Sequence, residues 1–394
     1  MIQSAIQRVE SGHDLSMDEV VATFDQIICG LCAEDDVARW LLALNRKGPS
    51  VSEVAGAAMA LRRKMTPIHC SRTELLDTCG TGGDRLHTFN ISTAAALVTA
   101  AAGVPVAKHG NRAASSRSGS ADVLAVLGVN VAADAACVER CLDELGICFC
   151  YAPLLHNAMR HVAPVRKKLG VPTIFNILGP LINPAGASRQ LLGVGRAELR
   201  PLLAEALVLL GTVRSVVVHG SDGLDEVTLT GSTKVSEAVG QIGEQGAGSK
   251  GRVACLQPGV AGLGMAGELG SGEQAGHSRS GPGSKGRVGE PGSGEAAGQV
   301  RHFQWTPADF GLGSIDLTSI RVTGSDQSAA TIRGVLAGQP GPARDIVLAN
   351  AAAALWTAGA ALSPAAGVAL AAKAIDTAAA SDLLARLVAR SHGR

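Results

Sequence analysis

Three things are scarce in this chain of 394 residues: aromatic side chains, surplus charge and long apolar runs. Aromatics make up 3% of it, so the core must rest on Leu, Val, Ile and Ala. Ala is the strongest helix former, and the Ala-rich stretches therefore predict helices. Lys and Arg number 35 against 34 Asp and Glu. That balance speaks against a dedicated nucleic-acid or membrane-surface protein. No basic stretch, apolar run and small-residue cleavage site open the chain, so no secretory leader is expected. The most apolar window, residues 346–372, is mostly Ala and is broken by Asn350 and Pro364. It reads as two packed helices, with no membrane span. Cys29 and Cys32 have no second ligand pair at zinc spacing. They read, like Cys137, Cys141, Cys148 and Cys150, as buried reduced thiols of a cytoplasmic protein.

What is present is enough apolar sequence for a large domain plus a smaller one. Residues 1–70 carry helical spacing at 18–28, 36–45 and 52–65, with Ser52, Glu53 and the Gly48-Pro49 break marking the third start. No strand signal occurs there. From about residue 71 to 394, short apolar runs alternate with helical ones. Strands are expected at 75–78, 104–108, 147–150 and 215–219, with a further apolar run at 226–229. Helices are expected at 91–102 and 120–127. The alternation predicts an α/β domain whose mostly parallel central sheet is flanked by helices, with ligands beyond the strand C-termini. A basic helical segment, about 154–178, interrupts the pattern and is expected to return to the helical domain. Residues 240–298 are Gly- and Ser-rich, and Gly-Ser-Lys-Gly-Arg-Val occurs at 248 and again at 283. This insert is expected to be disordered, since it cannot bury enough apolar surface to offset its ordering entropy.

Four patterns carry chemistry. Asp77-Thr-Cys-Gly80-Thr-Gly-Gly83-Asp84 follows a strand and precedes a helix starting near Asn90-Ile-Ser92-Thr93. Such a turn brings backbone N–H groups and a helix N-terminus to an anion, although Gly turns also occur without ligands. It is neither a Walker A loop nor a dinucleotide fingerprint. Lys108-His-Gly-Asn111-Arg112-Ala-Ala-Ser115-Ser116 continues to Ser120 and Asp122, alternating cations, hydroxyls and glycines. That mix suits a polyanion. Asp225-Glu226 follows a strand and suits Mg²⁺, which takes few carboxylates and keeps oxygen ligands from water or phosphate. Alone it would read as an acidic turn; beside two anion loops it reads as a metal pair. Arg166 lies in the basic segment and could fork onto a carboxylate ligand, or simply lie on a surface helix.

Taken in this order, with Thr173-Ile-Phe-Asn176-Ile-Leu-Gly179-Pro180-Leu-Ile-Asn183-Pro184 between them, these motifs resemble the anthranilate phosphoribosyltransferase family. The likeness spans the chain apart from the insert. It implies the nucleoside phosphorylase and phosphoribosyltransferase fold class, with the active site at the hinge between domains. It implies transfer of a phosphoribosyl group from phosphoribosyl pyrophosphate to anthranilate, by a homodimer joined through the helical domains. Substrate contacts are implied at Gly80, Gly83, Asp84, Thr88, Asn90, Ile91, Ser92, Thr93, Lys108, His109, Gly110, Asn111, Arg112, Ala113, Ala114, Ser115, Ser116, Ser120 and Arg166. Catalytic roles are implied for Lys108, Asn111 and Arg166. Two Mg²⁺ ions per protomer are implied, with Ser92, Asp225 and Glu226 as ligands. The insert departs from the family, as does the stretch 324–330, which replaces a more Asn-containing one. Two other readings remain: a pyrimidine-nucleoside phosphorylase, disfavoured by Asp225, Glu226 and Arg166, and a nucleic-acid-binding homologue, disfavoured by the neutral charge.

Overall fold

The computed structural model describes residues 1–113, 117–240 and 298–393. Four amphipathic helices come first: α1 Ile2–Glu10, α2 Met17–Ile28, α3 Glu34–Lys47 and α4 Val51–Arg62. α1 buries Ile2, Ala5, Ile6 and Val9, which share one face at helical spacing. α4 starts earlier than expected, with Ser50 and not Ser52 as its cap. The reason is reciprocal bonding: Ser50 Oγ accepts from the Glu53 N–H while Glu53 takes the Ser50 N–H. Cys29 is exposed, contrary to expectation, because it lies just past the last helical residue of α2, outside its buried face.

The rest is built on seven strands: β1 Leu76–Gly80, β2 Val106–Gly110, β3 Ile147–Tyr151, β4 Arg189–Gly193, β5 Arg214–Gly220, β6 Thr233–Val239 and β7 Gln299–Trp305. Their order is β3-β2-β1-β4-β5-β6-β7. The first five run parallel; β6 and β7 are antiparallel additions at one edge. The sheet is mostly parallel, as expected. β4, β6 and β7 carry no strong signal of their own. The apolar run 226–229 is not a strand. Val227 and Leu229 are buried, but the Val227 N–H goes to Asn350 and the Thr228 N–H to the Thr233 hydroxyl, so no ladder forms.

Helices between strands are α5 Ile91–Ala101, α6 Ser120–Val126, α7 Ala135–Leu145, α8 Ala152–Leu155, α9 Ala163–Leu169, α10 Phe175–Leu178 and α11 Leu199–Leu209. Four more close the chain: α12 Ser325–Leu336, α13 Pro342–Thr357, α14 Pro364–Asp376 and α15 Ala379–Ser391. The window 346–372 is thus two packed helices; a Cβ on Gly367 would lie 2.8 Å from Ala352 Cα. Among the described residues no helix is long and apolar enough to cross a membrane.

The sheet's alternation separates two cores. Leu191, Val216 and Val218 join α5 and α13 in one. Leu192, Val217 and Ala238 join α11 and the N-terminal helices in the other. Val162, Val165, Phe175 and Leu178 belong to this second core, and Phe24 packs on Phe175 at 5.4 Å between ring centres. Arg62, at the end of α4, donates from Nε to the Leu181 carbonyl at 2.7 Å and from its fork to the Leu210 carbonyl at 3.3 Å. Burial lowers its pKa to about 10.

The insert leaves from Val239 and returns at Gln299, which face each other in register. Val239 also faces Arg214, the first residue of β5. The insert therefore enters at the N-terminal edge of the parallel strands, opposite their C-terminal loops. Its own residues 241–297 lie outside the described residues, and so does the expectation of disorder made for them.

Candidate active site

Strand order reverses between β1 and β4: the chain runs outward from β1 to β3, then returns to the other side of β1. Ligands of open α/β sheets bind beyond the strand C-termini at such a point. Gly80 and Gly193 end the two strands side by side. A Cβ on Gly193 would overlap the Asp225 carbonyl oxygen, and one on Gly80 would lie 2.9 Å from Asp225 Oδ2. Bare backbone at Gly193 is what lets Asp225 come in over the strand ends, while a side chain on Gly80 would press on its carboxylate. Gly195 repeats the demand, since its Cβ would lie 2.9 Å from the Gly82 carbonyl oxygen. The Thr81 N–H donates to the Gly193 carbonyl at 2.9 Å and ties the two strand ends together.

The loop after β1 turns through positive φ at Gly82 and Gly83, and again at Arg85 (+61°) and His87 (+60°). Two non-glycine residues there are strained backbone that surrounding contacts must hold. The holding segment is 320–322. Thr88 bridges Arg321, the Phe89 N–H donates to the Ile320 carbonyl at 3.0 Å, and the Val322 N–H to the His87 carbonyl at 2.8 Å.

The acidic pair follows β5. Asp222 holds the turn by accepting from the Thr228 and Thr230 hydroxyls at 2.7 and 2.6 Å. Asn350 of α13 accepts from the Val227 N–H and donates to its carbonyl, both at 2.9 Å. Glu226 then accepts from the Ser92 N–H at 3.0 Å, at the start of α5. Burial and the nearby Asp84 and Glu226 carboxylates push the Asp225 pKa well above its usual value. Burial likewise lifts Glu226 to about 7, against the pull of Lys108. Three carboxylates crowded this way call for a cation. Among the described residues no three His, Cys, Asp or Glu side chains are set to hold a metal by themselves.

Lys108 is 3% exposed, and its ammonium donates to the Thr78 carbonyl and, at 3.3 Å, to Ser92 Oγ. It lies beneath the loop, where burial lowers its pKa. Gly110 abuts Ser120 Oγ and Phe149, which leaves no room for a side chain. Asn111 and Arg112 are exposed. Arg112 is not a free cation: it donates to Asp122 at 2.9 Å and to the Tyr151 hydroxyl at 3.2 Å. The Ala113 N–H also goes to Asp122, at 2.9 Å. Ala114, Ser115 and Ser116 lie outside the described residues.

Several expected contacts point inward. Ile91 and Thr93 are each 1% exposed. His109 is buried against His156, nitrogen to nitrogen at 3.0 Å, and its other nitrogen meets the Gly179 carbonyl at 3.1 Å. Burial and the neighbouring His156 lower His109 to about 3, and burial lowers His156 to about 4, so both are neutral. Arg166 of α9 is half-buried, lies over the Phe175 ring at 5.4 Å and has no ion-pair partner among the described residues. A desolvated, unpaired guanidinium is suited to an incoming carboxylate. The sequence reading missed Gly193, Gly195, Ser328 and Asn350. Only the Gly-x-Gly after a short apolar run offered a local hint for the first two.

Known proteins share the sequence family and the fold of this chain. Residues 3–65 match the helical bundle domain of a glycosyl transferase family, and residues 72–247 and 289–381 match its a/b domain. An anthranilate phosphoribosyltransferase from Rhodopirellula baltica is 43% identical over 97% of this chain and 95% of its own. One from Anaeromyxobacter sp. is 44% identical over 100% and 99%. The crystal structure of the Thermus thermophilus enzyme aligns with a TM-score of 0.79 at 37% identity, covering 98% and 99% of the two chains. The Saccharomyces cerevisiae enzyme in complex with PRPP and Mg aligns at 0.78 and 25% identity, covering 100% and 98%.

Proposed function

The chain belongs to the anthranilate phosphoribosyltransferase family, and we propose that the loops meeting at the β1–β4 switch point carry out its reaction. The enzyme transfers the 5-phosphoribosyl group from phosphoribosyl pyrophosphate to the anthranilate amine, in tryptophan biosynthesis. The observation that carries the site assignment is the convergence of Gly80, Asp84, Ser92, Lys108, Asp225 and Glu226 on one strand edge.

In this reading the backbone of residues 80–84, the N-terminus of α5 and the loop after Lys108 hold the donor's phosphates. Ser92, Asp225 and Glu226 would hold Mg²⁺, two ions per protomer, offsetting the crowded carboxylates. When bound, Mg²⁺ supplies charge neutralisation for a pyrophosphate leaving group. Lys108 adds positive potential from beneath the loop. Asn111 and Arg166 orient anthranilate, Arg166 through its carboxylate. The anthranilate amine is neutral near pH 7 and attacks ribose C1 as the C1–oxygen bond to pyrophosphate breaks. It then loses one proton to solvent. Positioning supplies much of the rate.

The chain acts as a homodimer through its helical domain, whose Leu31 is 76% exposed, and in the cytoplasm. Sedimentation of the purified protein tests the dimer; a monomer at micromolar concentration would refute it. The reaction is tested by anthranilate fluorescence, which should fall only when donor and Mg²⁺ are both present. Loss of fluorescence without metal would remove the acidic pair from the site. Asp225→Ala should shift the Mg²⁺ dependence about tenfold or more.

A further inference from the structure

Asn90 heads α5 and is held from the far end of the chain. Its N–H donates to Ser328 Oγ at 3.0 Å, and Ser328 Oγ donates to Asn90 Oδ1 at 2.8 Å. Ser118 Oγ donates to the same Oδ1 at 2.7 Å, and Asn90 Nδ2 donates to the Ser118 carbonyl at 3.2 Å. The Ser118 carbonyl can only accept, so it marks the amide end facing it as nitrogen; a flip would set two oxygens against each other. One N–H of Nδ2 has no partner among the described residues.

Ser328 is 0% exposed and sits in the first turns of α12. Three other helix hydroxyls bond back to their own helix: Thr23 to Glu19, Thr331 to Gln327 and Thr357 to Ala353. Ser328 does not; both of its bonds are to Asn90. The lead-in to α12 also holds the strained His87 and the two residues after it through the bonds to Ile320, Arg321 and Val322.

We propose that Ser328 is a positioning residue for the phosphoribosyl donor. Its hydroxyl fixes the Asn90 backbone and amide, leaving one amide N–H for the donor. The proposal rests on Asn90 touching the donor. The test measures donor affinity by calorimetry, and KM for both substrates, on full-length Ser328→Ala, Asn90→Ala and the double variant. Ser328→Ala should weaken the donor roughly tenfold, the worth of a lost hydrogen bond in a shielded site. Its kcat and anthranilate KM should stay within about twofold, since nothing at Arg166 changes. The double variant should be no worse than Asn90→Ala. Ser328→Thr, which keeps the hydroxyl, should restore most of the loss. Unchanged donor affinity in Ser328→Ala, equal rises in both KM values, or multiplying effects in the double variant would each overturn the proposal. If Asn90→Ala leaves the donor untouched, the donor role of Asn90 itself falls, and the proposal with it.

Discussion

The two edges of one sheet obey opposite rules. At the C-terminal edge, Gly193 has no room for a methyl group, one on Gly80 would press on the Asp225 carboxylate, and Asp225, Glu226 and Lys108 crowd together. At the N-terminal edge, Val239 and Gln299 face each other and the chain admits a low-complexity segment between them. The strands are the same; what differs is what their ends must hold. Backbone and charge packed for a ligand leave no slack, whereas a hairpin end needs only closure, whose entropy grows slowly with length.

The largest effect should come from breaking the tight edge. Gly193→Ala forces Asp225 off the strand ends, so kcat/KM should drop by about a hundredfold or more, as a misplacement near 1 Å does. An alanine variant with full activity would show that Asp225 is not needed where it stands. Arg166→Ala should raise the anthranilate KM roughly ten- to a hundredfold and the donor KM little, because a charge-assisted contact is lost. Equal changes in both would defeat the assignment.

The His109–His156 pair sharpens the contrast through pH. Unfolded histidines gain protons as pH falls through about 6.5. The folded pair resists until about 4 and 3. Stability from this pair is therefore full above pH 6.5 and is lost as pH falls towards 4. The melting temperature should drop over that window, and His156→Gln should flatten the drop. An unaltered profile would mean the pair titrates normally. The smallest effect belongs to the loose edge. Replacing residues 243–295 with a short turn should leave kcat/KM within about twofold, since the strand ends already pair. A large loss would tie the insert to the chemistry.

Much of the active edge was readable because its signals are local. The glycines after Thr78, the cations after β2 and the acidic pair after β5 each sit within a few residues of a strand end. The membership of the sheet was harder. β6 reads Thr-Lys-Val-Ser-Glu-Ala-Val, and its Glu237 is buried only because Arg214 and Arg301 neutralise it at 2.8 and 2.6 Å. Arg112 reads as a phosphate cation, but Asp122 holds it at 2.9 Å. Ser328 and Asn350 were unreadable, because their roles exist only across the fold. Nothing in the text around Asn350 says that it braces the residue after Glu226.

Those braces also set an order of assembly. Asn90 meets its partner 238 positions later, and Val227 meets Asn350 123 positions later. During synthesis the ligand loops emerge long before α12 and α13. Until residues 320–322 arrive, the turn at His87 lacks the bonds to Ile320, Arg321 and Val322. Such distant pairings slow folding, because chain ends must be gathered before any contact rewards them. A nascent chain stopped before Ser328 would carry the ligand-facing loops of the site, yet would be expected to lack their final shape.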